Sequence, residues 1–372
     1  LNVPHLRFPE FNGEWETKLI NDLAVVIGGG TPDTTIKSYW DGEIQWFTPS
    51  EIGKNKYVDS SLRTITEEGL NNSSAKLLPP NTILLSSRAT IGECSLSLRE
   101  CATNQGFQSL VSKKCYVDFL YYLIQTKKRD LIRKSCGSTF LEISANEVRK
   151  IQVSVPTDVE QQKIAGLLSL IDERIATQNK IIEDLKKLKS AIRKKMFSLL
   201  KDEYTESFEI NQLLDYEQPT AYIVANDEYS TDTSLTPVLT ANKGFILGYT
   251  DEKFGIYQKG ECIIFDDFTM DAKYVSFPFK VKSSAIKILT AKPNVNLRFM
   301  FEYLSYWELK SEEHKRHYIS EIASLVIELP SKERQSIIAS LMTSLNSKLD
   351  IEAKTKIRYE EQKRYLLSQM FI

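Results

Sequence analysis

The chain has 372 residues, of which 42% are apolar and 26% are charged, a composition typical of a soluble globular protein and not of a disordered or fibrous one. Its 48 basic and 49 acidic residues give a net charge of -1, which excludes a basic excess over the whole molecule, so nucleic-acid binding would have to come from local charge. Five unclustered cysteines predict neither a disulfide framework nor a four-cysteine zinc site, which favours a cytoplasmic protein. With no long apolar run and no N-terminal signal pattern, we expect a chain that is neither exported nor membrane-spanning.

The first 155 residues contain short apolar runs separated by Gly, Pro, Asn and Asp. This pattern predicts a mostly β module with one or two helices, one of them near residues 117–134. A glycine-rich turn at residues 28–32 lacks the Lys-Ser/Thr of a phosphate-binding loop, and proline follows where a helix would have to begin. We therefore interpret it as a turn that brings the backbone close to a ligand, and not as a nucleotide site.

The next segment predicts a strand followed by a long helix. Alternating apolar residues at 151–155 end at Pro156, as expected for a strand. From residue 158 to about 200 the chain has no proline, and apolar residues recur at alternating four- and three-residue steps, with Gln178 and Lys189 filling two gaps. This seam predicts a coiled-coil helix of about 40 residues, about 60 Å long.

The second half of the chain repeats the first. An offset of 174 residues aligns Glu147–Ser198 with Glu321–Ile372 without a gap, and ten positions are identical, Gln161 with Gln335 among them. The repeat predicts an α+β fold in which two β-rich modules are joined by two long helices that pack on each other, because neither helix could bury its apolar seam alone. The expected modules are residues 1–155 and 201–329, and the expected helices are residues 156–200 and 330–372.

Two groups of residues could carry other chemistry. Asp266, Asp267 and Asp271 could bind a metal ion, but no His or Glu lies at ligand spacing, which favours an exposed polar turn. His314 and His317 have no further His and no nearby Cys, so a zinc site is not expected there. The sequence contains no hydrolase nucleophile motif and no methyl-transfer motif, and we expect no catalytic site in this chain.

Each module also contains polar, basic and aromatic residues in turn-rich segments. Arg, Lys, Asn and Gln read base edges in the major groove of DNA, whereas Ser, Thr and backbone N–H groups contact phosphates. For any single residue an ordinary polar exterior is the favoured explanation, so the pattern identifies candidates only as a set. The DNA-binding candidates are Thr31, Tyr39, Trp40, Trp46, Thr48, Ser50, Ser87, Arg88, Asn104 and Gln105 in the first module, and Thr240, Asn242, Lys243, Tyr249, Asp267, Thr269, Lys273, Lys282 and Ser283 in the second.

Four motifs carry a resemblance to a known family: the opening segment Pro4–Trp15, the turn Gly28–Pro32, the aromatic segment Tyr39–Pro49, and Pro156–Ile175. Through these motifs the chain resembles the specificity subunit of a type I restriction-modification system. The resemblance extends over essentially the whole chain. The last motif is the most specific of the four, and it recurs in degraded form at Pro330–Leu349.

The resemblance implies two target-recognition domains in a pseudo-two-fold arrangement, each reading one half of a split, asymmetric double-stranded DNA site, with an antiparallel helix pair between them. It also implies two modification subunits, which carry S-adenosylmethionine and methylate adenine, and two restriction subunits, which use ATP and Mg²⁺ to cleave DNA. This chain would then be non-catalytic and bind no cofactor itself. The partner-binding candidates on the first long helix are Glu160, Gln161, Lys186, Lys187, Arg193 and Lys194.

Two alternatives remain open at this point. The chain could itself be a nuclease or a methyltransferase with an unrecognised site, in which case purified chain would modify or cleave DNA. It could also be a coiled-coil scaffold or adaptor that only joins other proteins, in which case no sequence-specific DNA binding is expected.

Overall fold

The computed structural model describes residues 2–137, 141–200, 206–240, 244–307 and 318–372. Contacts divide the chain into two compact units, a first unit of Leu1–Lys180 with Ala353–Ile372 and a second unit of Ile181–Glu352. The finer division into modules and helices at residues 155, 200 and 329 stays a prediction. His314 and His317 lie outside the described residues.

The first unit is rich in short strands. These are β1 (Glu16–Leu19), β2 (Ala24–Gly28), β3 (Trp40–Phe47), β4 (Tyr57–Val58), β5 (Arg63–Ile65), β6 (Ile83–Leu85), β7 (Cys94–Ser97), β8 (Cys101–Thr103), β9 (Gln108–Ser112) and β10 (Gln152–Val155). The helices are α1 (Ile20–Leu23), α2 (Glu67–Asn71), α3 (Val117–Thr126), α4 (Lys128–Arg133), α5 (Ala145–Arg149) and the start of the long helix α6 (Asp158–Leu199). The strands form a ribbon β1-β10, a five-stranded sheet β2-β9-β6-β7-β4 and a three-stranded sheet β5-β3-β8.

The second unit is built in the same way. Its helices are α7 (Ile210–Leu213), α8 (Leu297–Tyr306) and the start of α9 (Lys332–Met370), with a π-helical turn at Tyr318–Ile322. Its strands are β11 (Glu206–Glu209), β12 (Leu214–Glu217), β13 (Thr236–Leu239), β14 (Ile246–Thr250), β15 (Cys262–Asp266), β16 (Ala272–Val275), β17 (Lys280–Val281), β18 (Ile286–Ala291) and β19 (Val326–Leu329). They form a ribbon β11-β19, a sheet β12-β18-β15-β16 and a sheet β14-β13-β17. No helix among the described residues is long and apolar enough to cross a membrane.

The two units share one strand topology, except that β4 adds a fifth strand to the larger sheet of the first unit. Strand β3 runs antiparallel to β5 and parallel to β8, and β13 runs antiparallel to β14 and parallel to β17. In the larger sheets Ile83 pairs with Leu110, and Ile263, at the corresponding place, pairs with Leu289. The predicted α+β class and the predicted duplication are therefore confirmed. Buried apolar strands such as β6 and β15 form the cores because both of their faces are covered.

Within each unit, a segment of α6 packs antiparallel against a segment of α9. In the first unit the Lys363 ammonium lies 2.7 Å from the Asp172 carboxylate, and the Arg174 guanidinium lies 5.8 Å from the ring centre of Tyr359. Rising residue numbers on α6 thus meet falling numbers on α9. The predicted seam is confirmed by the buried clusters, which contain Leu168, Ile171, Leu366 and Met370 in the first unit and Ile338 and Met342, packed by Ile192 and Met196, in the second.

One seam position carries lysine in both repeats, and in each unit this lysine lies near a carboxylate. Lys363, the counterpart of Lys189, pairs with Asp172 in the first unit, and the Tyr122 hydroxyl donates a 2.6 Å hydrogen bond to the same carboxylate. The acid here belongs to α6, and its partners come from α3 and α9. This arrangement ties the module helix α3 to both long helices.

The second unit contains a similar polar junction, in which the acidic residue comes from the module helix α8 and not from a long helix. Here Glu302 of α8 is buried, and its carboxylate accepts hydrogen bonds of 2.9 and 2.6 Å from Arg193, with Lys189 at 3.8 Å. Asn346 replaces Asp172 in the repeat, and its side-chain amide donates to Glu302 at 3.4 Å. The acidic residue therefore lies on a long helix in the first unit and on the module helix α8 in the second, whereas the lysine occupies the same position of the repeat in both.

We predict that Glu302→Gln destabilises the protein by about 3 kcal/mol, because removing one partner leaves the Arg193 and Lys189 charges largely buried without compensation. Urea denaturation of the whole chain measures the change. Glu183→Gln is the matched control, since it removes an exposed ion pair with Lys187 on the same long helix and should leave the unfolding midpoint unchanged. An equal effect of the two variants would contradict the assignment of Glu302 as a buried anchor.

Candidate nucleic-acid interface

Three strand ends of the first unit meet at one place. The Gly30 N–H donates to the Thr103 carbonyl at 2.8 Å, and the indole N–H of Trp46 donates to the Gly30 carbonyl at 2.9 Å. The Asn104 N–H donates to the Phe47 carbonyl at 3.1 Å. The chain segments that follow β2, β3 and β8 are therefore adjacent. They carry five of the predicted candidates, Thr31, Thr48, Ser50, Asn104 and Gln105.

The glycine-rich turn has a different role from the predicted one. A side-chain carbon at Gly29 would overlap the Asn104 carbonyl oxygen and the Thr103 side chain, and one at Gly30 would overlap the backbone of Ala75. The close approach predicted for a ligand is thus made to the protein's own backbone. From that turn the Thr31 hydroxyl donates a hydrogen bond to the side chain of Gln105.

The segment after β3 is organised by one carboxylate. Glu51 accepts hydrogen bonds from the Thr48 N–H at 2.8 Å and from the Thr48 hydroxyl at 2.7 Å. The Thr48 and Ser50 hydroxyls lie 3.1 Å apart, and Ser50 is exposed. Glu51 is not among the candidates predicted from the sequence, although the Thr-x-x-Glu spacing is a recognisable capping pattern that identifies it.

Arg88 borders the same place through backbone bonds. The Ser87 N–H donates to the Gly106 carbonyl at 2.8 Å, and the Arg88 side chain, partly exposed, pairs with Glu142 at 2.8 Å. We call the segments 30–31, 48–50, 87–88 and 104–106 the first loop cluster. It presents hydroxyl, amide and guanidinium groups, which are the groups that contact phosphates and base edges.

The second unit places a corresponding set of segments together. The Lys282 N–H donates to the Leu239 carbonyl at 3.0 Å, as Asn104 does to Phe47, and the Asp267 N–H donates to the Ala285 carbonyl at 2.9 Å, as Ser87 does to Gly106. The second loop cluster consists of residue 240, residues 267–269 and residues 282–285. Its exposed or partly exposed candidates are Thr240, Thr269, Lys282 and Ser283.

Two other candidates of the second module lie outside the segments of the second loop cluster. Tyr249 lies on β14 and Lys273 on β16, and both side chains are partly exposed. Asn242 and Lys243 lie outside the described residues. Tyr39, in the first unit, is also partly buried and packs beside Trp40 and its cluster. The role of these residues in DNA binding stays a prediction.

Four candidates are buried, which corrects their expected role. Trp40 and Trp46 pack edge to face with ring centres 5.1 Å apart, and Ser87 has no exposed surface. Their side chains are buried in this fold and are therefore not available to contact DNA. Trp46 instead supports the first loop cluster through its indole hydrogen bond to the Gly30 carbonyl, and the Trp40 indole donates to the Asp33 carbonyl at 3.0 Å.

Asp267 is the fourth correction. It is 1% exposed, and its carboxylate lies 3.2 Å from the equally buried Lys287 ammonium. It also accepts a 2.9 Å hydrogen bond from the Tyr318 N–H, while Lys287 donates to the Gln218 side chain at 3.0 Å. A buried charge persists only when it is paired, so Asp267 compensates an internal lysine and is not an exposed turn residue. Among the residues described, no group of three or more His, Cys, Asp or Glu side chains could hold a metal ion.

Two of the partner-binding candidates are also internal. Glu160 is 1% exposed and accepts hydrogen bonds of 2.7 and 2.8 Å from the Arg7 guanidinium, whose pKa this contact raises, and one of 3.3 Å from the Trp15 indole. Gln161 accepts from the Tyr116 N–H at 2.9 Å and donates to the Pro156 carbonyl at 2.9 Å. Both residues are therefore structural.

Gln335 repeats the contacts of Gln161. It accepts from the Asn296 N–H at 2.9 Å and donates to the Pro330 carbonyl at 2.9 Å. In each unit this glutamine joins the strand end, the long helix and the start of the module helix. The identity of Gln161 and Gln335 in the repeat is explained by this joint, without any partner protein.

The basic candidates on α6 divide into two groups. Arg193 is held by Glu302 inside the second unit, which corrects its predicted availability to a partner. Lys186, Lys187 and Lys194 are exposed, with Lys187 paired to Glu183 at 2.7 Å on the same helix. These three remain predicted partner-binding residues.

Comparison with known proteins places the chain in context. The family model described as "Type I restriction modification DNA specificity domain" matches residues 12–187 and 203–361. The type I restriction enzyme MjaIX specificity subunit of Methanocaldococcus jannaschii is 38% identical over 216 residues, which cover 57% of this chain and 50% of that protein. The EcoR124I/EcoR124II specificity subunit of Escherichia coli is 39% identical over 178 residues, 43% of each chain. The chain thus matches half or less of the length of these two relatives.

Longer but weaker similarity extends over most of the chain. The EcoprrI specificity subunit of Escherichia coli is 24% identical over 357 residues, which cover 86% of this chain and 84% of that protein. The crystal structure of the type I restriction-modification S subunit from M. genitalium aligns with a TM-score of 0.64 at 17% identity, covering 100% of this chain and 99% of that one. A chain from a structural study of the assembly and conformational transition of a type I system aligns with a TM-score of 0.59 at 13% identity. These structural matches show a shared fold.

Proposed function

Because this chain belongs to the type I restriction-modification DNA specificity family, we propose that it reads a bipartite, asymmetric DNA target, with one half-site contacted by each loop cluster. The observation that supports this most is the duplication of the loop cluster itself. Equivalent backbone hydrogen bonds position Asn104 in one cluster and Lys282 in the other. One scaffold thus carries different side chains at matching positions.

That difference is what an asymmetric target requires. An asparagine amide pairs in a bidentate manner with adenine, whereas a lysine ammonium donates to the acceptors of guanine. Arg88 and Gln105 add readers to the first cluster, and Thr48 and Thr240 supply hydroxyls for phosphate contacts at equivalent places. Two identical clusters would read two identical half-sites, so the diverged side chains favour two different ones.

We propose that tight binding depends on partner subunits. A net charge of -1 limits the release of counterions from DNA, which supplies much of the affinity of DNA-binding proteins. The proposed partners are two modification subunits, which carry S-adenosylmethionine and methylate adenine, and two restriction subunits, which use ATP and Mg²⁺. This chain would contribute recognition and no catalytic group. The assignment of these roles rests on the family membership.

The long helices offer surfaces for such partners. In the second unit Ile337, Leu341 and Ile351 are exposed on α9, away from the buried seam residues Ile338 and Met342. Their spacings of four and ten residues place them on one outer stripe of the helix. Apolar side chains in a stripe outside the seam favour a helix-helix contact with another protein.

Methylome sequencing of a host that expresses the chain together with a type I modification subunit tests the proposal. We expect adenine methylation confined to one split motif, and none when the chain is omitted. Native mass spectrometry of the purified complex should show two modification subunits for each copy of the chain. Methylation without a motif, or no dependence on the chain, would contradict the proposed function and would favour a scaffold.

A further inference from the structure

Leu62 is the most exposed large apolar side chain in the part of the chain that the structure describes, with 86% of its surface accessible. It directly precedes β5 in the first unit. A single exposed leucine is ordinary on a protein surface, so its exposure decides nothing by itself. The way in which its backbone is held, and the residues beside it, are what distinguish this leucine.

The backbone around Leu62 is fixed by hydrogen bonds to side chains. The Leu62 N–H donates to a carboxylate oxygen of Glu51 at 2.6 Å, and the Ser61 N–H donates to the Gln45 side chain at 2.7 Å. On the other side the Arg63 guanidinium stacks 3.5 Å from the ring centre of Trp40. The backbone at Leu62 is therefore fixed before binding, so that only the leucine side chain has to be ordered in a complex.

The same carboxylate places Leu62 at the first loop cluster. One oxygen of Glu51 accepts from Leu62, and the other accepts from the N–H and the hydroxyl of Thr48. Ser50 lies next to Thr48, with the two hydroxyls 3.1 Å apart. An apolar side chain thus projects beside hydroxyl groups at the surface for which DNA contact is proposed.

The second unit has an aliphatic residue at the corresponding position. Ile246 pairs with Leu239, the counterpart of Phe47, and its side chain is 41% exposed. In the first unit Arg63 pairs with Trp46, which leaves Leu62 opposite Phe47 one step further along the strands. Both modules therefore expose an aliphatic side chain at the same place in the duplicated scaffold.

We propose that Leu62 is a specificity-determining residue that contacts the 5-methyl group of a thymine in the half-site read by the first unit. This proposal rests on the proposed function. The thymine methyl is the apolar group that base edges present in the major groove, so an aliphatic side chain there favours thymine. Opposite any other base edge, Leu62 would cover polar groups without supplying a hydrogen bond, and that base would be disfavoured.

The test measures binding of the complex of the full chain and its modification subunit to an unmethylated DNA duplex. The duplex carries the motif that methylome sequencing identifies. Each thymine of the half-site assigned to the first unit is replaced in turn by deoxyuridine, which lacks only the methyl group. We expect one replacement to weaken binding about fourfold, the effect of about one methyl-sized group losing its apolar contact. Leu62→Ala should weaken binding to the thymine duplex and should remove the difference between thymine and deoxyuridine.

Two variants are matched controls. Leu19→Ala truncates another exposed leucine of the first unit, which is the last residue of β1 and is not part of the first loop cluster, and the discrimination should persist. Ile246→Ala, in the second unit, should also leave discrimination in this half-site intact. Three results would overturn the proposal. The complex with the wild-type chain could bind every deoxyuridine duplex as tightly as the thymine duplex, the half-site could contain no thymine, or the discrimination could survive Leu62→Ala. If the complex with the wild-type chain bound the motif no more tightly than unrelated DNA, the proposed function itself would be contradicted.

Discussion

Exchanging residues 201–329 for the corresponding module of another specificity subunit is expected to replace one half of the methylated motif and to leave the other half unchanged. Each unit carries its own sheets, its own loop cluster and its own core, so the exchanged segment can bring its recognition residues with it. Each mismatched base pair costs about 1–3 kcal/mol, and three or more mismatches should abolish methylation of the original motif. Methylome sequencing reads the result directly.

The reciprocal exchange is the control for this experiment. Replacing residues 1–155 should change the half of the motif that the first exchange left alone. A change in both halves after either exchange would mean that the two loop clusters read DNA jointly. An unchanged motif after both exchanges would mean that the clusters do not determine the sequence, and the proposed function would be wrong in its central point.

Asp267→Asn is expected to destabilise the chain by about 3–5 kcal/mol, because it leaves the Lys287 ammonium buried without its counter-charge. The unfolding midpoint in urea, measured on the whole chain, reports the loss. Asp271→Asn is the matched control, since Asp271 lies in the same turn but is exposed, and its removal should not move the midpoint.

The same variant separates a structural role from a reading role. If Asp267 contacted a base, Asp267→Asn would leave the midpoint unchanged and would relax the motif at one position. If it compensates Lys287, the variant loses stability and, while folded, keeps the motif. A stable Asp267→Asn protein with a relaxed motif would therefore restore Asp267 to the base-reading residues.

Sequence patterns identified large features more reliably than individual roles. The heptad seam predicted α6 and α9 because it depends on residues three and four apart on one helix, and this spacing is visible without any tertiary contact. The 174-residue offset predicted the duplication because Gln161 and Gln335 keep the same joint in both units. Because the same hydrogen bonds are made in both units, the same residue is present at both positions.

The candidate surface was predicted less well. Thr48, a candidate selected by residue type, lies beside the Asn104-Gln105 segment at the first loop cluster, although the linear order does not show that these two segments are neighbours. Trp46 and Asp267 have the residue types of DNA-binding sites, yet both are buried. A side chain's type indicates what it can bind, whereas its exposure depends on which distant strands cover it.

What the sequence determined by itself was the family, the two repeats, the α+β class and the long helices, because each follows from local periodicity or from similarity along the chain. What only the tertiary structure decided was which polar groups face inward and which face solvent. The carboxylate that pairs with the seam lysine belongs to α6 as Asp172 in one unit and to α8 as Glu302 in the other. Such a pair is selected by the distance between side chains in space, and two residues far apart in the sequence carry no local sign that they will meet.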